Sequence, residues 1–249
     1  MGLELAYCRA RDIIGRDRAE CLAVAVEVEQ LRLAWRPERV QVVVLAESHV
    51  WTSRDEIRSR VKQPNGKETG FARFVYCLGY GEPRLVEPAV TPNRGTPQFW
   101  RLFHDTVYGP TTPHTRLMKS GETDWQKRAQ NKLDLLAKMQ SAGIWLVDAS
   151  VTALYQTGTP KLAANRDDFR DVLRACWESH TGEVVCGCAP SAILIVGKGV
   201  ENAIGDCVHQ DLGRSVKVVT INQPNARMSR QAITRDRRAC FDLCCRRPA

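Results

Sequence analysis

The sequence predicts an α/β protein with three αβα layers around a central, mostly parallel sheet of four strands. Four short apolar runs, rich in valine and isoleucine, are typical of strands that are buried on both faces. Segments with apolar residues at helical spacing separate these runs, and such alternation is typical of parallel sheets. The length of 249 residues is enough for one large core, so we expect a single domain over 1–249.

The first part of the chain, 1–37, is predicted to be an N-terminal helical segment. Helix-forming residues and an apolar stripe at helical spacing predict one helix across 3–34, and Pro37 marks its end. The valine-rich run 40–46 is the first predicted strand. The polar stretch 52–70 is predicted to be a loop, or a short helix that ends in a turn.

Strands and helices alternate through the rest of the chain. Thr96 and Pro97 are typical of a helix N-terminus, with the threonine as N-cap. The later predicted strands are 144–147, 192–196 and 217–221. The later predicted helices are 124–142, 166–178, 199–211 and a basic C-terminal helix over 228–249.

The net charge of +8 favours a polyanionic partner such as nucleic acid. Most of the basic residues are arginines, which suit bidentate phosphate contacts, although the codon usage of a GC-rich genome is an alternative cause of that excess. Half of the net charge lies in the C-terminal helix, where the alternative explanation is an ordinary solvated basic face.

Ten cysteines invite a metal or disulfide interpretation, but none of them forms a C-x-x-C pair. We therefore expect free thiols that pack as small apolar groups, with no metal and no cofactor, and the same spacing disfavours an iron–sulfur site. No apolar run approaches the roughly 20 residues of a membrane helix, and the N-terminus lacks the layout of a signal peptide. We expect a soluble, cytoplasmic protein without a membrane partner.

Polar side chains follow all four predicted strands, at the edge where parallel sheets bind ligands. Glu47-Ser48-His49 follows the first strand, Asp148 the second, Gly197-Lys198-Gly199 the third and 222–227 the fourth. Carboxylates there can activate water or stabilise a cation, and amides can hold a developing anion. The glycine spacing fits neither a P-loop nor a dinucleotide-binding loop.

Taken in order, these segments resemble the motifs of the uracil-DNA glycosylase superfamily, over residues 38–230. The stretch 42–49 looks like the strand that enters G-Q-D-P-Y-H or, in another branch, G-E-A-P-G. The stretch 143–152 is similar to G-V-L-L-L-N-[AT]-V-L-T, and 193–197 parallels the later strand that ends in glycine. Gln223-Pro224-Asn225-Ala226-Arg227 looks like H-P-S-P-[LR].

Two segments between these motifs also resemble the family, namely the uracil-stacking phenylalanine segment at 70–74 and the Pro-led helix at 96–100. Each main motif departs from the family pattern in at least one position. The replacements are His49 for proline, Asp148 for asparagine, Gln223 for histidine and Asn225 for serine.

The resemblance implies catalytic roles for four residues. Glu47 would hold or deprotonate the attacking water and stabilise the sugar cation, with Ser48 at the position of the family's Asp in one branch. His49 would supplement or replace Glu47 as base, and Gln223 would donate a hydrogen bond to the leaving base. The alternatives are a carboxylate that caps the turn after the strand for Glu47 and a structural histidine for His49.

The resemblance also implies a set of binding residues. Phe74 would stack on the flipped base, unless it is an ordinary core aromatic. Asp148 would meet the base edge, where an ionised Asp only accepts hydrogen bonds; it would then suit a base that offers donors, or it must be protonated in a closed site. Arg227 would enter the base stack, unless it is a backbone-phosphate or surface arginine. The other implied contacts are Asn222 and Asn225 to substrate, and Pro224, Lys198 and Arg230 to DNA.

We therefore expect a monomeric, nucleoid-associated DNA glycosylase that hydrolyses the bond between deoxyribose and uracil, or another deaminated base, in base excision repair. It would use no cofactor. The first alternative is a catalytically weak or inactive protein of the same fold that binds damaged or abasic DNA. The second is an unrelated α/β enzyme that handles nucleotides.

Overall fold

A computed structural model describes residues 2–156, 166–224 and 228–245. The strands are β1 (Val42–Ala46), β2 (Arg60–Lys62), β3 (Glu68–Gly70), β4 (Val86–Glu87), β5 (Ile144–Asp148), β6 (Ala192–Val196) and β7 (Lys217–Ile221). The helices are α1 (Gly2–Ile14), α2 (Leu22–Ala34), α3 (Pro97–Tyr108), α4 (Trp125–Ser141), α5 (Arg166–Cys176), α6 (Gly182–Cys186), α7 (Lys198–Leu212) and α8 (Arg230–Cys245).

The central sheet confirms the predicted fold class. Its four strands are all parallel, in the order β5-β1-β6-β7. Every residue of β1, β5 and β6 is buried, whereas the edge strand β7 is partly exposed. Helix α5 packs against both α1 and α7, and α3 packs against α4 and α8, so that the sheet lies in a three-layer αβα fold.

The N-terminal segment differs from the prediction of one helix across 3–34, which is wrong. Helix α1 ends at Ile14, and Gly15 follows with a φ of +99°, a left-handed conformation that an α-helix cannot continue. The Arg18 guanidinium donates a hydrogen bond to the carbonyl oxygen of Ile14. The break places Glu20 in the interior, between the two helices, where only 3% of its surface is exposed.

The polar stretch 52–70 holds more structure than predicted. It includes a short helix, Glu56–Arg58, and the hairpin of β2 and β3, which forms a second, antiparallel sheet in the order β3-β2-β4. The hairpin turn is the one that Pro64-Asn65-Gly66 indicated. Strands of three residues with polar, exposed ends are too short to show a two-residue periodicity.

The helix boundaries follow the predictions, with two changes. Thr96 precedes α3, but its hydroxyl caps no backbone amide and is buried with no partner in the described part of the chain. In contrast, α4 has a side-chain N-cap: the Asp124 carboxylate accepts hydrogen bonds from the backbone amides of Gln126 and Lys127. The helix predicted over 166–178 forms α5 as far as Cys176, and one wider helical turn, Trp177–Thr181, follows it. No helix in the described part of the chain is long and apolar enough to cross a membrane.

Candidate functional site

The carboxyl ends of the four parallel strands bring the predicted site segments to one edge of the sheet. Ala46 at the end of β1 is level with Asp148 at the end of β5, and Val196 of β6 is level with Ile221 of β7. Since the strands are parallel and in register, the residues that follow them emerge side by side. This register explains why residues far apart in the sequence meet here.

Glu47 lies directly after β1 and is 5% exposed. The side-chain amide of Gln223, which follows β7, donates a hydrogen bond to its Oε2 over 3.1 Å. Tyr155 also hydrogen-bonds to the Glu47 carboxylate; burial, and then the charge of Glu47, raise the pKa of the tyrosine hydroxyl, which therefore remains a donor. The structure thus unites a carboxylate, an amide and a phenol.

Gly197, at the end of β6, makes room for Gln223 to reach Glu47. Its φ is +109°, and a Cβ atom at this position would lie 3.0 Å from both Cγ and Nε2 of Gln223. A larger residue would be strained and would push the amide away. The glycine after a buried strand is therefore the sequence feature that permits this contact.

Ser48 connects the loops after β1 and β5. Its hydroxyl donates to the carbonyl oxygen of His49 over 3.0 Å and accepts from the backbone amide of Leu154 over 3.1 Å. The backbone amide of Ser150 also donates to the carbonyl oxygen of Glu47. These contacts place Ser48 in a structural role that fixes the loop carrying Glu47.

His49 is buried against Glu20, a residue that the sequence did not single out. Its Nε2 lies 2.5 Å from Glu20 Oε1, and both side chains are fully buried. Glu20 also accepts hydrogen bonds from the backbone amides of Thr52 and Ala153. No periodicity or motif marks this glutamate, because its position depends on the break after α1.

The second ring nitrogen of His49 faces Asp148. Nδ1 lies 3.7 Å from Asp148 Oδ2, beyond hydrogen-bond reach, and the Arg32 guanidinium lies 3.9 Å from the same oxygen. Burial by itself would lower the pKa of His49, but the attraction of Glu20 and Asp148 outweighs it and raises the pKa to about 9. His49 is therefore an imidazolium at neutral pH, which favours the structural alternative over a base.

Arg32 extends this group of charges on its far side. Its guanidinium donates to Glu29 over 2.5 Å, and His180 lies 3.4 Å from the same carboxylate. We use the term Asp148 cluster for the buried charged residues Glu20, His49, Asp148, Arg32 and Glu29. Cations and anions alternate along the cluster, so that each charge faces at least one of opposite sign.

Phe74 lies beside the Asp148 cluster and is 2% exposed. Its ring makes edge contacts with the rings of His49 and Tyr76, at centroid distances of 6.5 and 5.2 Å. The structure therefore brings the predicted base-stacking residue close to the predicted base-edge residue. Both are closed off from solvent in this state.

The residues after β7 are held by the C-terminal helix. The backbone and side-chain nitrogens of Asn222 both donate to Asp236 Oδ2 of α8, over 3.0 and 2.7 Å. Asn222 and Pro224 line a cavity of about 210 Å³ between α3 and α8. Asn225 and Arg227 lie outside the described residues.

Two of the cations predicted to contact DNA lie near the same edge. Lys198 is exposed at the first position of α7, and Arg230 is exposed at the first position of α8. Other arginines of α8 are engaged within the protein, and Arg237 forms a bidentate pair with Asp105 of α3 over 2.6 and 2.7 Å. The positive charge of α8 is therefore partly neutralised by its packing.

Metal ligands do not gather in the described part of the chain, where no group of three or more histidine, cysteine, aspartate or glutamate side chains could hold an ion. All ten cysteines are free thiols. Comparisons with known protein families, curated proteins and solved structures find no match.

Proposed function

We propose that this protein is a DNA glycosylase that hydrolyses the N-glycosidic bond of uracil, or of another deaminated base, flipped out of DNA. The observation that carries the proposal is the contact between Glu47 and Gln223 at the edge where parallel sheets bind ligands. These residues come from opposite ends of the chain, and they are the ones the family resemblance assigns to the water and the leaving base.

Glu47 can carry out the first half of the reaction. In the hydrolysis, a water oxygen forms a bond to C1′ of the sugar while the bond from C1′ to the base nitrogen breaks. The bonding electron pair leaves with the base, and a proton from the water passes to the Glu47 carboxylate. The negative carboxylate also stabilises the positive charge that develops on the sugar.

Gln223 can assist the departing base. One N–H of its side-chain amide binds Glu47, and a primary amide has a second N–H to donate. A neutral amide supplies less stabilisation to a developing anion than a charged donor does. We therefore expect slower chemistry than in an enzyme with a histidine at this position.

Lys198, Arg230 and Arg227 are proposed to bind the DNA strand. The first two are exposed cations at helix N-termini, where backbone amides and the helix dipole also favour phosphate. Arg227 would enter the base stack at the position the base vacates. Pro224 and Asn225 are proposed to shape this loop beside Asn222.

The test is incubation of the protein with uracil-containing single- and double-stranded oligonucleotides, followed by alkaline cleavage at abasic sites. Wild type should release the base, and Glu47→Gln should lower the single-turnover rate on the order of 1000-fold, as for loss of a general base. Glu201→Gln, an exposed glutamate of α7, is the matched control and should retain full activity. Full activity of Glu47→Gln would refute the role of Glu47.

A second function is a damage-binding protein without turnover. The observation that favours it is that Phe74 and Asp148 are each 2% exposed. A flipped base can reach them only if the residues packed over them move aside. Tight binding of uracil-containing or abasic DNA with no base release would establish this second function. Binding of free nucleotides without affinity for DNA would exclude both.

A further inference from the structure

We propose that two adjoining cavities along α3 bind a single strand of DNA that leads away from the edge of the sheet carrying Glu47 and Gln223. The inference rests on the proposed function and deepens it, because it names the form of the DNA and the surface that holds the strand beside the target nucleotide. The side chains that carry it lie outside the motifs of the family resemblance.

The smaller cavity lies at the candidate catalytic edge, and we call it the α3–α8 cavity. It has a volume of about 210 Å³, and Asn222 and Pro224, on either side of Gln223, form part of its wall. Arg101 of α3 also lines it, is exposed, and forms no ion pair with any residue that the structure describes. A strand that leaves the edge on this side therefore meets the α3–α8 cavity first.

The larger cavity, here called the α3–α4 cavity, continues along α3. It has a volume of about 930 Å³ and lies between the C-terminal halves of α3 and α4 and the segment 112–117. His114 lines both cavities, so they adjoin at this residue. The 12 residues of α3 span about 18 Å, which leaves room for several successive nucleotides.

The α3–α4 cavity has an excess of positive charge. Arg116 and Lys138 line it, and neither forms an ion pair within the described part of the chain. Among the described lining residues, Asp134 is the one carboxylate, and it already accepts a hydrogen bond from Gln130. Two cations without carboxylate partners favour an anionic ligand, and a DNA backbone offers phosphates at regular intervals.

An exposed aromatic ring lies beside these cations. Tyr108 is 37% exposed, and its ring packs against the ring of His104 with 4.9 Å between the centroids. The Lys138 ammonium lies 4.8 Å from the centre of the Tyr108 ring. A base that stacks on Tyr108 displaces this ammonium towards the neighbouring phosphate. Aromatic rings and cations together are typical of sites for single strands, whose unpaired bases are free to stack.

Two histidines in the wall of the α3–α4 cavity are available to a ligand. His104 is 6% exposed, and its Nδ1 is buried with no hydrogen-bond partner among the described residues. Burial lowers the pKa of His104 and of His114, and the charges of Arg101 and Arg237 lower that of His114 further. Each ring is therefore uncharged at neutral pH and has one N–H donor and one acceptor for a base or a phosphate.

The first experiment measures binding of a labelled single strand without uracil, and of the corresponding duplex, by fluorescence anisotropy. Tyr108→Ala should weaken single-strand binding at least about 5-fold, as for loss of one stacked base, whereas Tyr108→Phe keeps the ring and should retain the affinity. Arg116→Gln and Lys138→Gln should each reduce the slope of log affinity against log salt by about 0.7 for the single strand.

The duplex and a distant cation provide the controls. Duplex affinity should change little in these variants, because paired bases inside a duplex cannot stack on Tyr108. Arg16→Gln removes an exposed cation after α1 that lines neither cavity, and it should leave single-strand binding at the wild-type value. Circular dichroism verifies that each variant is folded.

Three results of these binding measurements would overturn the inference. The first is an unchanged single-strand affinity and salt slope in the variants of Tyr108, Arg116 and Lys138. The second is an equal loss of single-strand and duplex affinity. The third is competition by free thymidine monophosphate as strong as competition by an oligonucleotide at equal nucleotide concentration, which would assign the α3–α4 cavity to a free nucleotide.

The second experiment links the cavities to base release. Uracil-containing single strands are shortened on the 5′ side or on the 3′ side of the uracil, and wild type should lose rate when the flank that occupies the cavities is removed. In the double variant Arg116→Gln, Lys138→Gln, removal of the same flank should cost less, and an equal cost in both proteins would overturn the inference. Absence of base release from every substrate would contradict the proposed function alone, because the binding measurements require neither uracil nor turnover.

Discussion

The protein contains two buried groups of ionised side chains that differ in how completely their atoms are paired. In the first, here called the Glu82 cluster, Glu82 accepts from Arg128 over 2.7 and 2.5 Å and from Lys132 over 2.7 Å. In the Asp148 cluster, by contrast, Asp148 Oδ2 and His49 Nδ1 have no hydrogen-bond partner among the residues that the structure describes.

The degree of hydrogen-bond pairing separates a structural role for the Glu82 cluster from a functional role for the Asp148 cluster. A closed ion cluster, whose members satisfy one another, fixes the packing of α4 against the segment before α3 and has no capacity left for a ligand. An open cluster keeps buried polar atoms that lack hydrogen-bond partners, and this lowers the stability of the fold. Proteins tolerate such a loss mainly at functional sites. We therefore expect Glu82 to matter for folding and Asp148 to matter for base release.

The largest expected effect is on stability, from Glu82→Ala. This change leaves the buried cations Arg128 and Lys132 without their carboxylate, and such a loss typically costs about 3–5 kcal/mol in the free energy of unfolding. Urea unfolding measures it. The rate of base release per folded molecule should remain at the wild-type value, and a large fall in that rate would erase the distinction between the two clusters.

Next in size is the effect of Asp148→Ala on activity. Loss of the acceptor should lower the single-turnover release of uracil on the order of 100-fold, comparable to removal of one important hydrogen bond in an active site. The comparison is made at saturating enzyme, with the folded fraction measured by circular dichroism. Wild-type rates for this variant would show that Asp148 belongs with the structural residues.

A smaller effect concerns the pH dependence of stability. The pKa of His49 is raised from 6.5 to about 9 in the folded protein. The contribution of protonated His49 to the free energy of unfolding is therefore fully present below pH 6.5 and is lost as the pH rises through 9. The free energy of unfolding, measured by urea unfolding, should be lower at pH 9 than at pH 6.5. His49→Gln should reduce that decline, and an unchanged slope in this variant would contradict the assigned charge.

The smallest effect is expected from the exposed cations. Lys198→Gln or Arg230→Gln should each weaken duplex binding several-fold and reduce the slope of log affinity against log salt by about 1, as for loss of one phosphate contact. Fluorescence anisotropy at several salt concentrations measures this slope. An unchanged slope in both variants would remove the proposed path of the DNA backbone from this edge of the sheet.

The sequence was sufficient for the central sheet because its strands are buried, continuous apolar runs bounded by polar turns. It also placed Glu47, Asp148 and Gln223 at strand ends. It did not provide the strand order or the register, which depend on packing between distant segments and bring Gln223 to Glu47. The sequence does not reveal the β2–β3 hairpin, because each of its strands has three residues with polar, exposed ends and so shows no clear apolar pattern.

The parts of the site that were missed are partners rather than motif residues. Glu20 lies in a stretch whose sequence pattern is continuously helical. Its burial depends on the break in the helix at Gly15, which has a left-handed backbone conformation. Tyr155 becomes a partner of Glu47 through pairing of its backbone with Trp51 after β1. Such contacts leave no periodic signal, since each is a single side chain positioned by tertiary structure.

The most direct test of the central claim is single-turnover release of free uracil from a uracil-containing duplex, with the released base identified by mass spectrometry. The proposed function predicts free uracil and an abasic strand with wild type and with Glu201→Gln, and a rate on the order of 1000-fold lower with Glu47→Gln. Absence of free base from wild type, or release by Glu47→Gln at the wild-type rate, would contradict it.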